Sequence, residues 1–196
     1  ILSLVPKKSN RTQPISSLPY GGFERLNARR LLIIAKSGTQ QHNYASRIGP
    51  LSFELSVGQQ RVVVNCGTFS GDDPEWRQAM LNNAAYSTLT INETNPALNS
   101  SKPGIEPALR GEEDDSTWVE LRHNGYREKF GIVHVRRLHA HRDGHEIVGI
   151  DSLFSVNATL KPNLTNAVLR FHLHPAVKAS QTGHGGEVLL RLDKGP

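Results

Sequence analysis

The sequence holds a single cysteine, Cys66, in 196 residues. That scarcity excludes an internal disulfide framework and every multi-cysteine zinc or iron–sulfur site, and it leaves the thiol to be read as a small buried apolar group. No apolar run approaches the ~20 residues that a membrane-spanning helix needs. Aromatic residues make up only 6% of the chain and are not interleaved with the basic ones, which argues against a nucleic-acid surface. Also missing are a Gly-rich phosphate loop, a G-x-S-x-G elbow, an H-E-x-x-H helix and a C-x-x-C pair, so the strongly diagnostic motif classes drop out. The opening "ILSLVPKK" has no Met and too short an apolar run before Pro6 for a secretory leader, and "EVLLRLDKGP" stops just past a strand-like run. Both ends read as cuts through a longer polypeptide.

What is present is ordinary for a folded domain: 37% apolar, 21% charged and a net charge of +5. A modest positive excess favours a polyanionic partner, yet the pairs Lys7/Lys8, Arg29/Arg30 and Arg136/Arg137 form no basic run. Asp and Glu gather in one block, "EEDD" at 112–115. Asp151, Glu54 and Glu120 stand as isolated carboxylates. N-x-S/T triplets occur at Asn10, Asn92, Asn99, Asn157 and Asn163 and matter only in a secreted eukaryotic chain.

Residues 1–19 are rich in Pro and Ser and read as an irregular arm, with a single β-sandwich domain over 20–196. Short β-branched or alternating segments follow: "RLLIIA" (30–35), "LSFEL" (51–55), "RVVVNC" (61–66), "STLTI" (87–91), "TWVELR" (117–122), "FGIVHVRRL" (130–138), "EIVGID" (146–151), "AVLRFHL" (167–173) and "EVLLRL" (187–192). "VGQQ", Asn124-Gly125 and Asp143-Gly144 are hairpin signals, the last two suited to type I′ turns. One short helix is predicted at "DDPEWRQAMLN", with Asp73 as N-cap and Pro74 at the first helical position. Many short strands, few helices and no βα alternation predict an all-β, antiparallel sandwich of jelly-roll-like or super-sandwich type.

The histidines need the hairpin to be interpreted. A two-residue turn at Asp143-Gly144 sets His141 opposite Glu146 and His139 opposite Val148, with His139 and His141 on one face and His145 on the other. On that reading His141 is satisfied by Glu146 and no metal is bound. In "FHLHP", His172 and His174 share a face at a strand end, where binding sites are often built.

The run "GPLSFELSVGQQRVVVNCGT" (49–68), then "WRQAMLNNAAYSTLTIN" (76–92), "HNGYREKFGIVHVRRL" (123–138), "GIDSL" (149–153) and "LRFHLHPAV" (169–177), resembles the bacterial heparinase II/III-like family over roughly residues 20–196. The match is to that family's β-sandwich domain. The resemblance implies an N-terminal (α/α) toroid elsewhere in the same polypeptide and a cleft between the two domains. It also implies periplasmic or secreted placement and β-elimination on uronic-acid-containing acidic polysaccharides, with no nucleic-acid or membrane partner. Such chemistry requires a neutralised carboxylate, a base for the C5 proton and an acid for the departing glycosidic oxygen. In that family the toroid supplies the main acid/base residues, the sandwich adds a His before "LSFEL", and some members bind a structural zinc. Aligned on "LSFEL", those sandwich positions fall here on Ala45, Arg47, Gly49, Asn65 and Tyr86, so no cofactor is expected and the zinc set is lost. The resemblance leaves Tyr86, Arg47 and the nearby His42 as catalytic candidates and Asn65 as a substrate-binding one, beside His172 and His174, which are substrate-binding candidates from their place at a strand end. Alone, the domain is expected to be inactive; the alternative is a non-catalytic sandwich that binds an acidic glycan or serves as a structural module.

Overall fold

The computed structural model describes residues 16–18, 21–37, 49–97, 104–156, 164–183 and 185–192. Fourteen strands are described: β1 (Ser17–Leu18), β2 (Phe23–Ala28), β3 (Leu31–Lys36), β4 (Phe53–Val57), β5 (Gln60–Val64), β6 (Leu89–Ile91), β7 (Leu109–Glu113), β8 (Ser116–Tyr126), β9 (Ile132–His141), β10 (Ile147–Ser155), β11 (Ala167–Leu169), β12 (His172–Leu173), β13 (Val177–Gln181) and β14 (Val188–Leu192). They form one sheet in the order β1-β2-β3-β4-β5-β12 and a second in the order β10-β9-β8-β7, with the small pairs β11-β6 and β13-β14 beside them. All pairings are antiparallel. This is the all-β sandwich that the strand pattern predicts.

Alternation explains how the sheets join. In β3 the odd positions Leu31, Ile33 and Ala35 are buried while the even ones are only partly so. These residues meet Leu26, Phe53, Val62 and Val63 of their own sheet and Val119, Leu121, Leu138 and Ala140 of the other in one apolar core. A satellite core of Leu89, Ile91, Tyr126 and Ile132 lies beside it. The helix forms where expected: α1 spans Pro74–Met80, and the Asp73 carboxylate accepts from the Glu75 and Trp76 backbone N–H groups.

Four expectations need correction. Asn124-Gly125 is no hairpin turn: neither residue has a positive φ, and the pair is a bulge inside β8. Its backbone is already committed, Asn124 N donating to Gly104 O and Gly125 O accepting from Ala97 N, so the chain reverses instead at a single helical turn, α2 (Arg127–Phe130), closed by Gly131 at φ 65. The segment 167–173 is two strands, because the chain leaves the β6 pair after Leu169 and joins β5 at His172. Of the arm, Ser17–Leu18 pair with β2. The β9–β10 register is as read, with Val148 opposite His139, Ile147 opposite Ala140 and His141 N–H donating to Glu146 O at 3.0 Å, but the imidazole of His141 meets the carboxylate of Asp143 and not that of Glu146. His145 folds back to the same carboxylate instead of pointing to the other face.

Between the sheets lies a buried polar chain. Arg136, 1% exposed, donates from Nε and Nη2 to the two oxygens of Asp151 at 2.8 and 3.0 Å, and from Nη1 to Leu51 O and Ser87 O at 2.9 and 3.0 Å. Gly125 N–H donates to His123 Nδ1, which leaves His123 Nε2–H for His134 Nδ1 at 3.1 Å and His134 Nε2–H for Asp151 at 2.6 Å. Each neutral ring is thereby satisfied at both nitrogens. Burial, reinforced by the neighbouring His134 and Arg136, drives His123 well below the ordinary histidine value; burial also lowers His134, although Asp151 opposes it. Desolvation alone raises Asp151, but hydrogen bonds from His134 and Arg136 outweigh it and hold the carboxyl low.

The pH dependence follows. The unfolded chain takes up protons on these histidines below 6.5 while the folded chain resists, so stability falls as pH drops through that value. A second loss follows below 3.8, the ordinary value of Asp151. Denaturant melts across pH 8 to 3 are expected to show both stages. Asp151→Ala strands a buried guanidinium and is expected to cost about 3 kcal/mol or more at neutral pH in the same measurement.

Candidate functional site

Three of the candidate side chains meet where β5 ends, where the short turn Asn83–Ala85 leads into β6, and where β12 begins. Ser87, fully buried, is the hinge between them. Its backbone N–H donates to Asn65 Oδ1 at 2.8 Å, and its hydroxyl donates to Val64 O at 2.7 Å. The same hydroxyl accepts from the His172 backbone N–H at 2.9 Å. Arg136 in turn holds Ser87 O, which ties this corner to the buried chain between the sheets.

Asn65 is fixed at both ends of its amide, since Nδ2 faces Glu54 Oε1 at 3.4 Å. His172 is fixed as well: Nε2 donates to Ala84 O at 2.8 Å, which leaves Nδ1 as the acceptor facing Cys66 Sγ at 3.6 Å. Cys66 is exposed, contrary to its reading as a buried apolar group; it lies past the end of β5, where its backbone N–H donates to Ala85 O. Partial burial nonetheless pushes its thiol up from the ordinary value, so the thiol stays protonated at neutral pH.

Tyr86 is half-buried and packs against Gly49, whose φ of 59 and lack of a side chain are both required: a Cβ there would lie 2.4 Å from the ring. Desolvation, and to a lesser degree Cys66, pushes the phenol up, so it stays protonated across neutral pH. His174 lies apart, with Nδ1 accepting from Ala176 N–H and Arg61 at 3.3 Å from Nε2, beside a shallow groove of about 220 Å³ lined by Gln59, Gln60, Arg61 and Val177. A larger groove of about 430 Å³ between β2 and β7 shares no lining residue with this corner, and its Arg110 is committed to Glu24, Ser16 O and Arg25 O. His42 and Arg47 lie outside the described residues.

The corner does not suit zinc. Where the resemblance places an Asp and a His there are an amide and a phenol, and the amide is already engaged with Ser87 and Glu54. Sequence reading missed Ser87 and Arg136, which organise the corner, and took Asp151 for an isolated carboxylate. The only local sign was Arg136 itself, a cation at an inward position of an alternating strand. Iodoacetamide labelling checks the thiol. Cys66 is expected to react more slowly than free cysteine at pH 7.5 despite its exposure, its rate still rising above pH 9; fast labelling at neutral pH contradicts the protonated thiol.

The heparinase II/III-like, C-terminal family model matches residues 10–195. FtsZ-localized protein C of Caulobacter vibrioides is 26% identical over 207 residues, covering 90% of this chain and 34% of that protein. Among solved structures, a heparinase III gene product with methylated lysines superposes with a TM-score of 0.55 at 14% identity, over 71% of this chain and 21% of that one. A mutant of the heparan sulfate lyase HepC from Pedobacter heparinus gives 0.54 at 15% identity, over 74% and 23%. This chain thus spans about a third of the length of the curated relative and under a quarter of the solved chains. The structural likeness is one of fold, and with the family match over nearly the whole sequence, the chain belongs to the heparinase II/III-like C-terminal domain family.

Proposed function

We propose that this chain is the sandwich portion of a polysaccharide lyase that acts on uronic-acid-containing glycans by β-elimination. A toroid in the same polypeptide would complete its cleft. The observation that supports the reading is the gathering around Ser87 of Asn65 and Tyr86, to which the family resemblance carries sandwich contributions, with His172, a candidate from its place at a strand end. Within that reading the roles divide by chemistry. A phenol that stays protonated suits the acid that delivers a proton to the departing glycosidic oxygen, and it does not suit the base that removes the C5 proton. His172, its Nε2 proton held by Ala84 O, and Asn65 position the corner and the bound sugar. The base and the cations that neutralise the uronate come from Arg47, His42 and the toroid. The chain alone therefore turns over nothing.

A second reading, a non-catalytic module that binds an acidic glycan, draws on a separate observation. The polar ends of Asn65 and His172 are already engaged inside the protein, as in a surface built to hold its shape. The name of the Caulobacter relative, moreover, describes a location and not a reaction.

Ultraviolet absorbance of unsaturated uronate separates the two. The complete protein that carries this chain, incubated with heparin, heparan sulfate and alginate, is expected to raise that absorbance with at least one of them, and the 196-residue chain with none. No rise with the complete protein removes the lyase reading. In an active protein Tyr86→Phe is expected to lower kcat about a hundredfold; an unchanged rate makes Tyr86 structural.

A further inference from the structure

We propose that His141, Asp143 and His145, at the tip of the β9–β10 hairpin, form a binding site for one divalent transition-metal ion of the zinc, cobalt or nickel type. The site shares no residue with the strand-end corner, and its argument does not depend on the reading of function given above.

The local chain explains why three residues so close in sequence converge. His141 ends β9 on the outward-facing side, and Gly144 N–H donates to His141 O at 2.9 Å to close the turn. Gly144 adopts φ 77, which a side chain resists, and the chain doubles back so that His145 N–H donates to Asp143 Oδ1 at 3.0 Å. The two imidazoles then lie with centroids 4.3 Å apart, and both aim Nδ1 at the same carboxylate, His141 from 2.7 Å. One ligand atom from each residue lies within 4.8 Å of those of the other two. Three atoms bound to one ion lie at most about twice a ~2.1 Å bond apart, so a small side-chain rotation brings this set to bonding distance.

The donor set and its support fit that class of ion. Two imidazole nitrogens and one carboxylate suit borderline metals and are too nitrogen-rich for calcium or magnesium. The Asp143 carboxylate accepts from His145 N–H and lies against Nδ1 of both imidazoles. Nδ1 of His141 is sealed from solvent and lies 2.7 Å from Asp143 Oδ1. The tip is also held from outside. A Cβ on Gly144 would lie 2.6 Å from Ala28 O, so the turn is seated on the β2–β3 connection. Arg142 donates to Glu112 at 2.6 Å, and its backbone N–H donates to Asp115 O at 2.7 Å. A tip seated this way pays little ordering entropy when an ion arrives. Three protein ligands on an exposed turn leave coordination positions for water, which places the site among exchangeable ones.

The test is calorimetric titration of the metal-stripped chain with zinc chloride, repeated with cobalt chloride and read by visible absorbance. One ion per chain is expected, with cobalt giving the d–d bands of a nitrogen- and oxygen-ligated centre. His145→Ala, at a side chain 60% exposed and outside both apolar cores, is expected to weaken binding at least about tenfold with an unchanged circular dichroism spectrum. Asp143→Asn is expected to do the same, and His139→Ala to leave the affinity as it was. No saturable binding, or equal affinity in His145→Ala and the unaltered chain, overturns the proposal.

Discussion

A guanidinium enclosed between two sheets must find an acceptor for nearly every N–H it carries, and Arg136 finds them in four directions at once. Asp151, on the neighbouring strand β10, neutralises it. The other two acceptors are backbone carbonyls from the opposite side of the sandwich: Leu51, just before β4, and Ser87, just before β6. One side chain thus fixes the separation of the sheets and the position of the corner where Asn65, Tyr86 and His172 meet. The paired histidines extend the same constraint along β8 and β9, since Asp151 serves both Arg136 and His134. Removing the carboxylate would therefore take the acceptors from Arg136 Nε and Nη2 and from His134 Nε2 at one stroke.

This arrangement also bears on what the corner can do. Ser87 spends its backbone and hydroxyl on Asn65, Val64, His172 and Arg136, so the groups around it are set by internal bonds before any glycan arrives. Under the proposed lyase function, preorganisation of that kind favours orientation of a substrate over proton abstraction by the corner's own side chains. The neutral thiol beside His172 and the protonated phenol of Tyr86 point the same way. A division of labour between a shape-giving sandwich and a reactive partner domain is consistent with these observations.

The parts legible in the sequence are those governed by neighbours in the chain. Asp73 and Pro74 announce the start of α1 because capping is decided within three residues, and the alternation in "RLLIIA" announces a half-buried strand. The β9–β10 register could be read because Asp143-Gly144 marks the reversal. Asn124-Gly125 misled for the same reason in reverse: its local preference is a turn, but Tyr126 fills a buried slot against Leu89 and Thr94, and the bulge that seats it outweighs that preference. The β9–β10 register also sets Arg136 opposite Asp151, but the burial of that pair and its extension to His134, His123, Leu51 O and Ser87 O were out of reach, since they depend on how the second sheet covers β9. Nor could the folding back of His145 be seen, because it depends on a backbone N–H meeting Asp143.

The central claim, that Arg136 holds the strand-end corner in place, is tested most directly by hydrogen–deuterium exchange on Arg136→Lys. A lysine keeps the charge but cannot reach Asp151 and two carbonyls together. Faster exchange is expected at residues 51–53 and 86–88, with slow exchange retained at β3 and β8. Unchanged protection at residues 86–88 would contradict the account.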